Sequence, residues 1–418
     1  MAEVTGRRHR PSDAARFTFV AVCCMWLLMP VLLRDTLAQD AVPYVVAGEF
    51  VDTDPDLVYA AQGGDLFTLD EPFAERSCEL SPPGTDCSSF PVAYVSTPLS
   101  LPFARLVALL GADVGILAMR LGAALCLVAG MAALWRRLTP RHPAAGTYLA
   151  VTAVLLTPFA MAPLGLGQTS PVLFLAAALG VRGTRRTPRA VGVGAVMAAA
   201  VAFKAFPVAM VAVAMWQRRW RLVAATVAWC ALLALAALVL VPPSTFQEFV
   251  TAAGEISGKA VGNPYNGSIA NALHDVIGSF DGTGAGGLAL AALVVVGGAA
   301  VWLWTQRRAD DDTAWALGLL LLLLVNPLVW WHYALVGMAA VIVAVIALRS
   351  VSVRHLQLVV ALAATTVPIS IPATRGFGLP VAQALWMLVA VGVTVALARR
   401  RYPTDQRTDS TPVAERSA

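Results

Sequence analysis

Long apolar runs separated by short polar stretches dominate this chain. The runs fall at about 17–37, 113–135, 145–164, 170–181, 190–216, 222–241, 284–305, 313–330, 333–349, 357–371 and 382–398. A helix rises 1.5 Å per residue, so about 20 apolar residues cross a hydrocarbon layer of about 30 Å. Most of these runs approach that length, and the pattern predicts a stack of membrane helices. Basic clusters close alternate runs: Arg136-Arg137, Arg182 to Arg189, Arg307-Arg308, Arg349 with Arg354, and Arg399-Arg400-Arg401. Positive residues collect on the cytoplasmic side of membrane proteins. The expected topology therefore has residues 1–16 inside, a first helix running outward and a long outer loop over 38–104. The polar tail, 399–418, is inside and disordered.

The run at 190–216 departs from this alternation. Basic clusters bound it on both sides, and Lys204 and Pro207 interrupt it midway. Two half-crossing helices meeting near Lys204 satisfy both features, and the break needs protein or a wet cavity around its backbone. Counting that broken pair as two gives about twelve transmembrane segments. The predicted fold class is an all-α polytopic membrane protein with one integral-membrane domain over 17–398. No soluble domain and no short-period repeat is visible.

Composition agrees. Of the 418 residues, 58% are hydrophobic and 13% charged, against about 25% charged in soluble domains; the mean hydropathy is +0.71. The net charge of +5 does not point to nucleic acid, because the basic residues sit in the short clusters between apolar runs. The first run follows Arg7, Arg8, Arg10 and Arg16 without a clean small-x-small cleavage site, so it reads as a retained anchor. The outer loop is acidic, and within it Leu101 to Leu110 is too short to span and is expected to lie in the interface. Four cysteines (Cys23, Cys24, Cys126, Cys230) fall in apolar runs and read as small buried hydrophobes. Cys78 and Cys87 flank a polar turn. A disulfide between them suits an oxidising exterior and would contribute about 2.5 kcal/mol of local order.

Chemistry gathers at the outer ends. Asp40 stands where the first run gives out, partly solvated and positioned to act as a general base, or else to cap the short helix that follows with Pro43 in its first turn. Gln168, the Asn263-Pro-Tyr-Asn266-Gly-Ser268 stretch, Asn326 to Tyr333 with Trp330 and His332, and Thr374-Arg375-Gly376 all map to the same side. Each has a plainer reading as cap, turn or interfacial aromatic. Lys204 has no acid in its own segment, and an intramembrane lysine calls for an anionic partner; a lipid phosphate would supply one. Asp52-Thr-Asp54 has the form of a metal-binding pair but reads as a solvated loop, and no His/Cys metal spacing occurs.

Several stretches, in order, resemble the polyprenol-phosphate-mannose-dependent mannosyltransferases of glycosyltransferase family 87, in the membrane-embedded GT-C superfamily. They are Asp40-Ala-Val-Pro-Tyr44-Val-Val-Ala, Asp56-Leu-Val-Tyr59, Phe90-Pro-Val-Ala-Tyr94-Val-Ser-Thr-Pro98-Leu and Gly167-Gln168-Thr-Ser170. Lys204-Ala-Phe-Pro207 with Arg218-Arg219-Trp220, Asn266-Gly-Ser-Ile and Asn326-Pro-Leu-Val-Trp330-Trp-His332-Tyr complete the series. The chain departs at Ser170, where the family pattern has Asn, and at Gly267, where it has Gln. The resemblance implies a GT-C-like fold and a plasma-membrane enzyme with its active site on the extracytoplasmic side. It also implies a polyprenyl phosphate-linked sugar donor, a lipid or glycan acceptor, and no cofactor or metal. Asp40 would be the base, and Tyr44, Gln168, Lys204, Asn266, Trp330, His332 and Arg375 would bind substrate. A lipid-linked sugar transporter or flippase, or a non-catalytic membrane subunit, stands as the alternative; broken helices and an embedded lysine suit transporters too.

Overall fold

The computed structural model describes residues 11–34, 36, 38–59, 69–82, 85, 87, 93–138, 145–181, 187–258, 266, 268, 269, 271, 272, 298, 311–326, 329, 330, 333–347 and 390. Apart from Gly298 and Ala390, the expected spans at 284–305, 357–371 and 382–398 lie outside the described residues, as do both chain ends and the candidate residues His332 and Arg375.

Among the described residues the protein is all-α. In chain order the helices are α1 (Pro11–Leu32), α2 (Val42–Thr53), α3 (Glu71–Glu79), α4 (Leu101–Leu109), α5 (Ala112–Leu138), α6 (Ala145–Leu155) and α7 (Pro158–Leu166). They continue with α8 (Ser170–Gly180), α9 (Thr187–Phe203), α10 (Val208–Trp216), α11 (Trp220–Leu240), α12 (Ser244–Gly258), α13 (Asp311–Val325) and α14 (Ala334–Ala347). Proline starts many of them. Pro158 is the first residue of α7, and Pro43, Pro72, Pro102 and Pro171 are the second residues of α2, α3, α4 and α8. Proline there has a preset φ and lacks only an N–H that would have had no partner within the helix.

Among the described residues three helices are long and apolar enough to cross a membrane: Asp13–Leu32 within α1, Ala112–Arg136 within α5, and α11. On α11 only Leu222, Thr226 and Ala237 are buried, while Val227, Leu232, Leu235 and Val239 are exposed. A helix apolar on its outward face belongs in lipid rather than water.

Two expectations need correction. The first helix already includes Pro11, ahead of the expected 17, because a helix need not stop where its apolar stripe does, and it ends at Leu32 instead of 37. The third expected span, 145–164, is two helices. Thr157-Pro158 breaks it, since Pro158 has no backbone N–H to continue the α6 hydrogen-bond ladder and instead opens α7. The break expected at Lys204 is present, between α9 and α10, and the helix expected at Leu101–Leu110 is α4.

Among the described residues two large apolar cores form, beside a small cluster of Ala93 and Ile256. The larger packs α5, α8, α13 and α14 around Leu127, Phe174, Trp315 and Leu320. The smaller is built mostly from the stretch between α1 and α5, where Tyr44, Tyr59, Phe73, Tyr94 and Leu101 meet Phe203 of α9. Gly48 lets α2 press onto α4, because a side chain there would strike the Ala104 carbonyl. Val172 packs against both cores, and the site lies at this seam.

Candidate active site

Asp40 lies in the turn between α1 and α2. It does not cap α2: the cap position is Ala41 and carries no side-chain cap bond. Its backbone N–H instead reaches across to the last turn of α7, donating to the Leu166 carbonyl at 3.0 Å. The next residue of that helix end, Gly167, is left-handed at φ 71°, and Gln168 N–H closes back onto Pro163 O at 2.8 Å. Only glycine adopts that conformation without strain. A Cβ at Gly167 would also come within 2.5 Å of the Ala41 Cβ. The carbonyls that α7 leaves without helical partners thus bind the segment that carries Asp40.

That junction brings together residues far apart in sequence. A cavity of about 30 Å³ is lined by Asp40, Tyr44, Ser96, Gln168, Thr169 and Lys204, among others. It is room for one or two waters. The Gln168 side chain hydrogen-bonds the Asp40 carboxyl, and Lys204 acts on it through its charge. Burial outweighs both and pushes the Asp40 carboxyl up to about 6. Lys204, which has no acid in its own segment, therefore has Asp40 within electrostatic reach. Its Nζ also lies 5.9 Å from the centre of the Tyr333 ring, and Phe206 packs on that ring at 4.8 Å between centroids.

Hydroxyls also line the cavity. Tyr44 OH is 2.5 Å from Ser96 Oγ and 3.4 Å from Thr169 Oγ1, and Tyr59 OH donates to Ser96 O at 2.9 Å. Tyr94 meets Tyr44 edge-on, 5.2 Å between centroids. Thr97 anchors this wall to the helix that ends at Lys204, its Oγ1 donating to Ala202 O at 2.7 Å. Burial pushes the Tyr44 phenol up to about 12, so it stays a neutral donor and acceptor.

Of the site residues predicted from sequence, Asp40, Tyr44, Gln168 and Lys204 meet in this one cavity. Asn266 does not line it. Fully buried, its Oδ1 accepts from Ser268 N at 3.1 Å and Val329 N at 2.8 Å, and its backbone bridges to Trp330. It pins the Val329-Trp330 turn rather than facing the cavity. Trp330 backs the cavity wall, packing against the cluster that contains Ala93 and Val95. Asp52 pairs with Arg105 at 2.9 Å, each side chain well exposed. Among the described residues no three His, Cys, Asp or Glu side chains converge as a metal would require. Ser96, Thr169 and Tyr333 were not predicted to be site residues. They fall inside the resembling stretches, but hydroxyls scattered along a chain carry no signal of meeting.

The family model for glycosyltransferase family 87 matches residues 94–327, more than half of the chain. The chain belongs to glycosyltransferase family 87. This is a GT-C-type family, so the protein is a glycosyltransferase. The family 87 match takes in Ser96, Gln168, Thr169, Lys204 and Asn266, and begins after Asp40 and Tyr44. No curated protein and no solved structure matches the chain.

Proposed function

We propose that this family 87 protein transfers a hexose, mannose by the resemblance, from a polyprenyl phosphate donor to a cell-envelope acceptor on the extracytoplasmic side, with inversion. The observation that carries the reading is the meeting of Asp40, Gln168 and Lys204 around one cavity that the hydroxyls of Tyr44, Ser96 and Thr169 also line. The acceptor hydroxyl gives its proton to Asp40 as its oxygen bonds to the anomeric carbon. The bond from that carbon to the phosphate oxygen breaks from the opposite face, and polyprenyl phosphate leaves with the electron pair. Gln168 holds the carboxylate in orientation. The donor is a phosphodiester with one negative charge, and the leaving monoester carries nearly two, so an ammonium at Lys204 stabilises the transition state more than the ground state. Tyr44, Ser96 and Thr169 offer hydroxyls that can both give and accept hydrogen bonds, as sugar hydroxyls require. His332 and Arg375 are further candidates for the departing phosphate. Family membership weighs against the transporter reading.

The test is transfer in membranes given labelled polyprenyl phosphomannose and a cell-envelope lipid extract. Wild type should label an acceptor, and Asp40→Asn should lose about 10²–10⁴-fold, the usual worth of a general base. Full transfer by Asp40→Asn would remove Asp40 from the chemistry.

A further inference from the structure

A second intramembrane cation, Arg120, sits near the end of the site. It lies in the spanning helix α5 and is fully buried. Among the described residues no carboxylate pairs with it; the ion pairs there belong to Arg76 and Arg105. Its guanidinium is directed at backbone. One terminal nitrogen donates to the Leu33 carbonyl. The other donates to Thr36 O at 2.8 Å, Thr36 Oγ1 at 3.2 Å and Gly165 O at 2.7 Å. Leu33 and Thr36 belong to the run-out of α1, and Gly165 to the last turn of α7. A single side chain therefore joins the C-terminal ends of two helices. Both ends carry partial negative charge. Leu33 O also accepts from Thr36 N and Thr36 Oγ1, whereas Thr36 O and Gly165 O lie past the reach of their own helix ladders and take N–H groups of Arg120.

These are the ends that hold the catalytic turn. Asp40 follows Thr36 by four residues, and Gln168 follows Gly165 by three. The backbone bond from Asp40 N to Leu166 O closes the same junction. A planar fork aimed at carbonyls of separate segments suits arginine; lysine has one compact head and cannot span them.

We propose that Arg120 is a positioning residue for the transfer reaction: by bracing the ends of α1 and α7 it fixes Asp40 against Gln168. It does not line the cavity, so its effect on the substrate passes through Asp40. The inference rests on the assignment of Asp40 as base, and the experiment separates the two.

Arg120→Lys keeps the charge and the fold's need for a cation while removing the fork. Donor-analogue affinity should be unchanged, and kcat should fall by about 100-fold, the scale of a misplacement of about 1 Å. The acid limb of the pH profile should move down from about 6 toward the ordinary Asp value of about 3.9, because a released carboxyl gains water. The groups that face Asp40 and would otherwise move that limb are Lys204, Gln168, Tyr44 and Tyr333, all retained in the variant. A second arm needs no activity. Ala38, 4% exposed, is replaced by cysteine in a background lacking the four free cysteines, and maleimide labelling is timed in detergent. Arg120→Lys should speed labelling by about tenfold, the signature of a turn that opens locally. Labelling as slow as in the parent, or a parental kcat, overturns the inference. Transfer by Asp40→Asn at the wild-type rate overturns the base assignment instead and leaves the labelling arm to decide for Arg120.

Discussion

Asp40 is useful because it is uncomfortable. A general base must be ionised to take a proton, so activity should rise with pH through about 6, where burial has moved its carboxyl. Stability should run the other way. Between the ordinary value of about 3.9 and the folded value near 6 the folded state holds a proton that the unfolded chain has lost, so stability falls as pH rises through that window. Asn at position 40 removes this penalty. In detergent at pH 7 the Asp40→Asn protein should melt at or above the wild-type temperature, and at pH 4 the two should coincide; a lower melting point at both would mean that the residue is structural. Lys204 acts on the same group with opposite sign to burial. Lys204→Met should push the acid limb above about 6 and weaken a polyprenyl phosphomannose analogue by about 1.5–3 kcal/mol, as expected for a lost charged hydrogen bond. Equal donor affinity in the wild type and this variant would rule out a phosphate role. Arg120→Lys should shift the limb downward, so the pH profile separates a residue that faces the carboxylate from one that holds its turn.

At the scale of elements, the site is built from helix ends. The α9–α10 break presents Lys204, the α7–α8 turn presents Gln168 and Thr169, and the α1–α2 turn presents Asp40. A helix end has free backbone groups and can be placed with tertiary hydrogen bonds, whereas mid-helix backbone is already committed. Gly167 is the tightest of these joints. Gly167→Ala should cost about 1–3 kcal/mol, part left-handed strain and part overpacking against Ala41. It should displace the turn enough to reduce transfer as well. The measurement is the melting temperature in detergent beside the rate; a variant unchanged in both would show that the α7 cap is not under steric constraint. Outside the membrane helices, Arg76 of α3 grips Glu49 of α2 at 2.7 and 2.9 Å. Cys78 at the end of α3 is bonded to Cys87, Cα to Cα 5.7 Å. That bridge holds α3 to the segment leading toward Ala93 and the cavity wall.

For the whole molecule the same disulfide reports sidedness. A bridge is kept in an oxidising compartment, and the topology proposed from the basic clusters puts this loop and the site outside together. An impermeant thiol reagent added to intact cells should therefore leave Cys78 and Cys87 unlabelled until a reductant is supplied, then label both. Labelling before reduction would deny the bridge, and none after it would put the loop on the other face.

The membrane class, the bounds of the runs at 113–135, 170–181 and 222–241 within a few residues, the interruption at Lys204 and the family were legible in the chain. Apolar length, proline and clustered charge act locally, and their consequences do not depend on what packs where. Pro158 was equally visible, yet a proline inside an apolar run kinks, breaks or merely starts a helix according to its neighbours. Tertiary structure alone decided that Asp40 meets Lys204, that Asn266 serves a turn instead of the cavity, and that Arg120 reaches carbonyls of two other helices. Those outcomes depend on which helix ends abut, and a backbone carbonyl or a hydroxyl has no sequence mark telling which distant cation or carboxyl will satisfy it. The requirement that every buried polar group find a partner is general; only packing selects the partner.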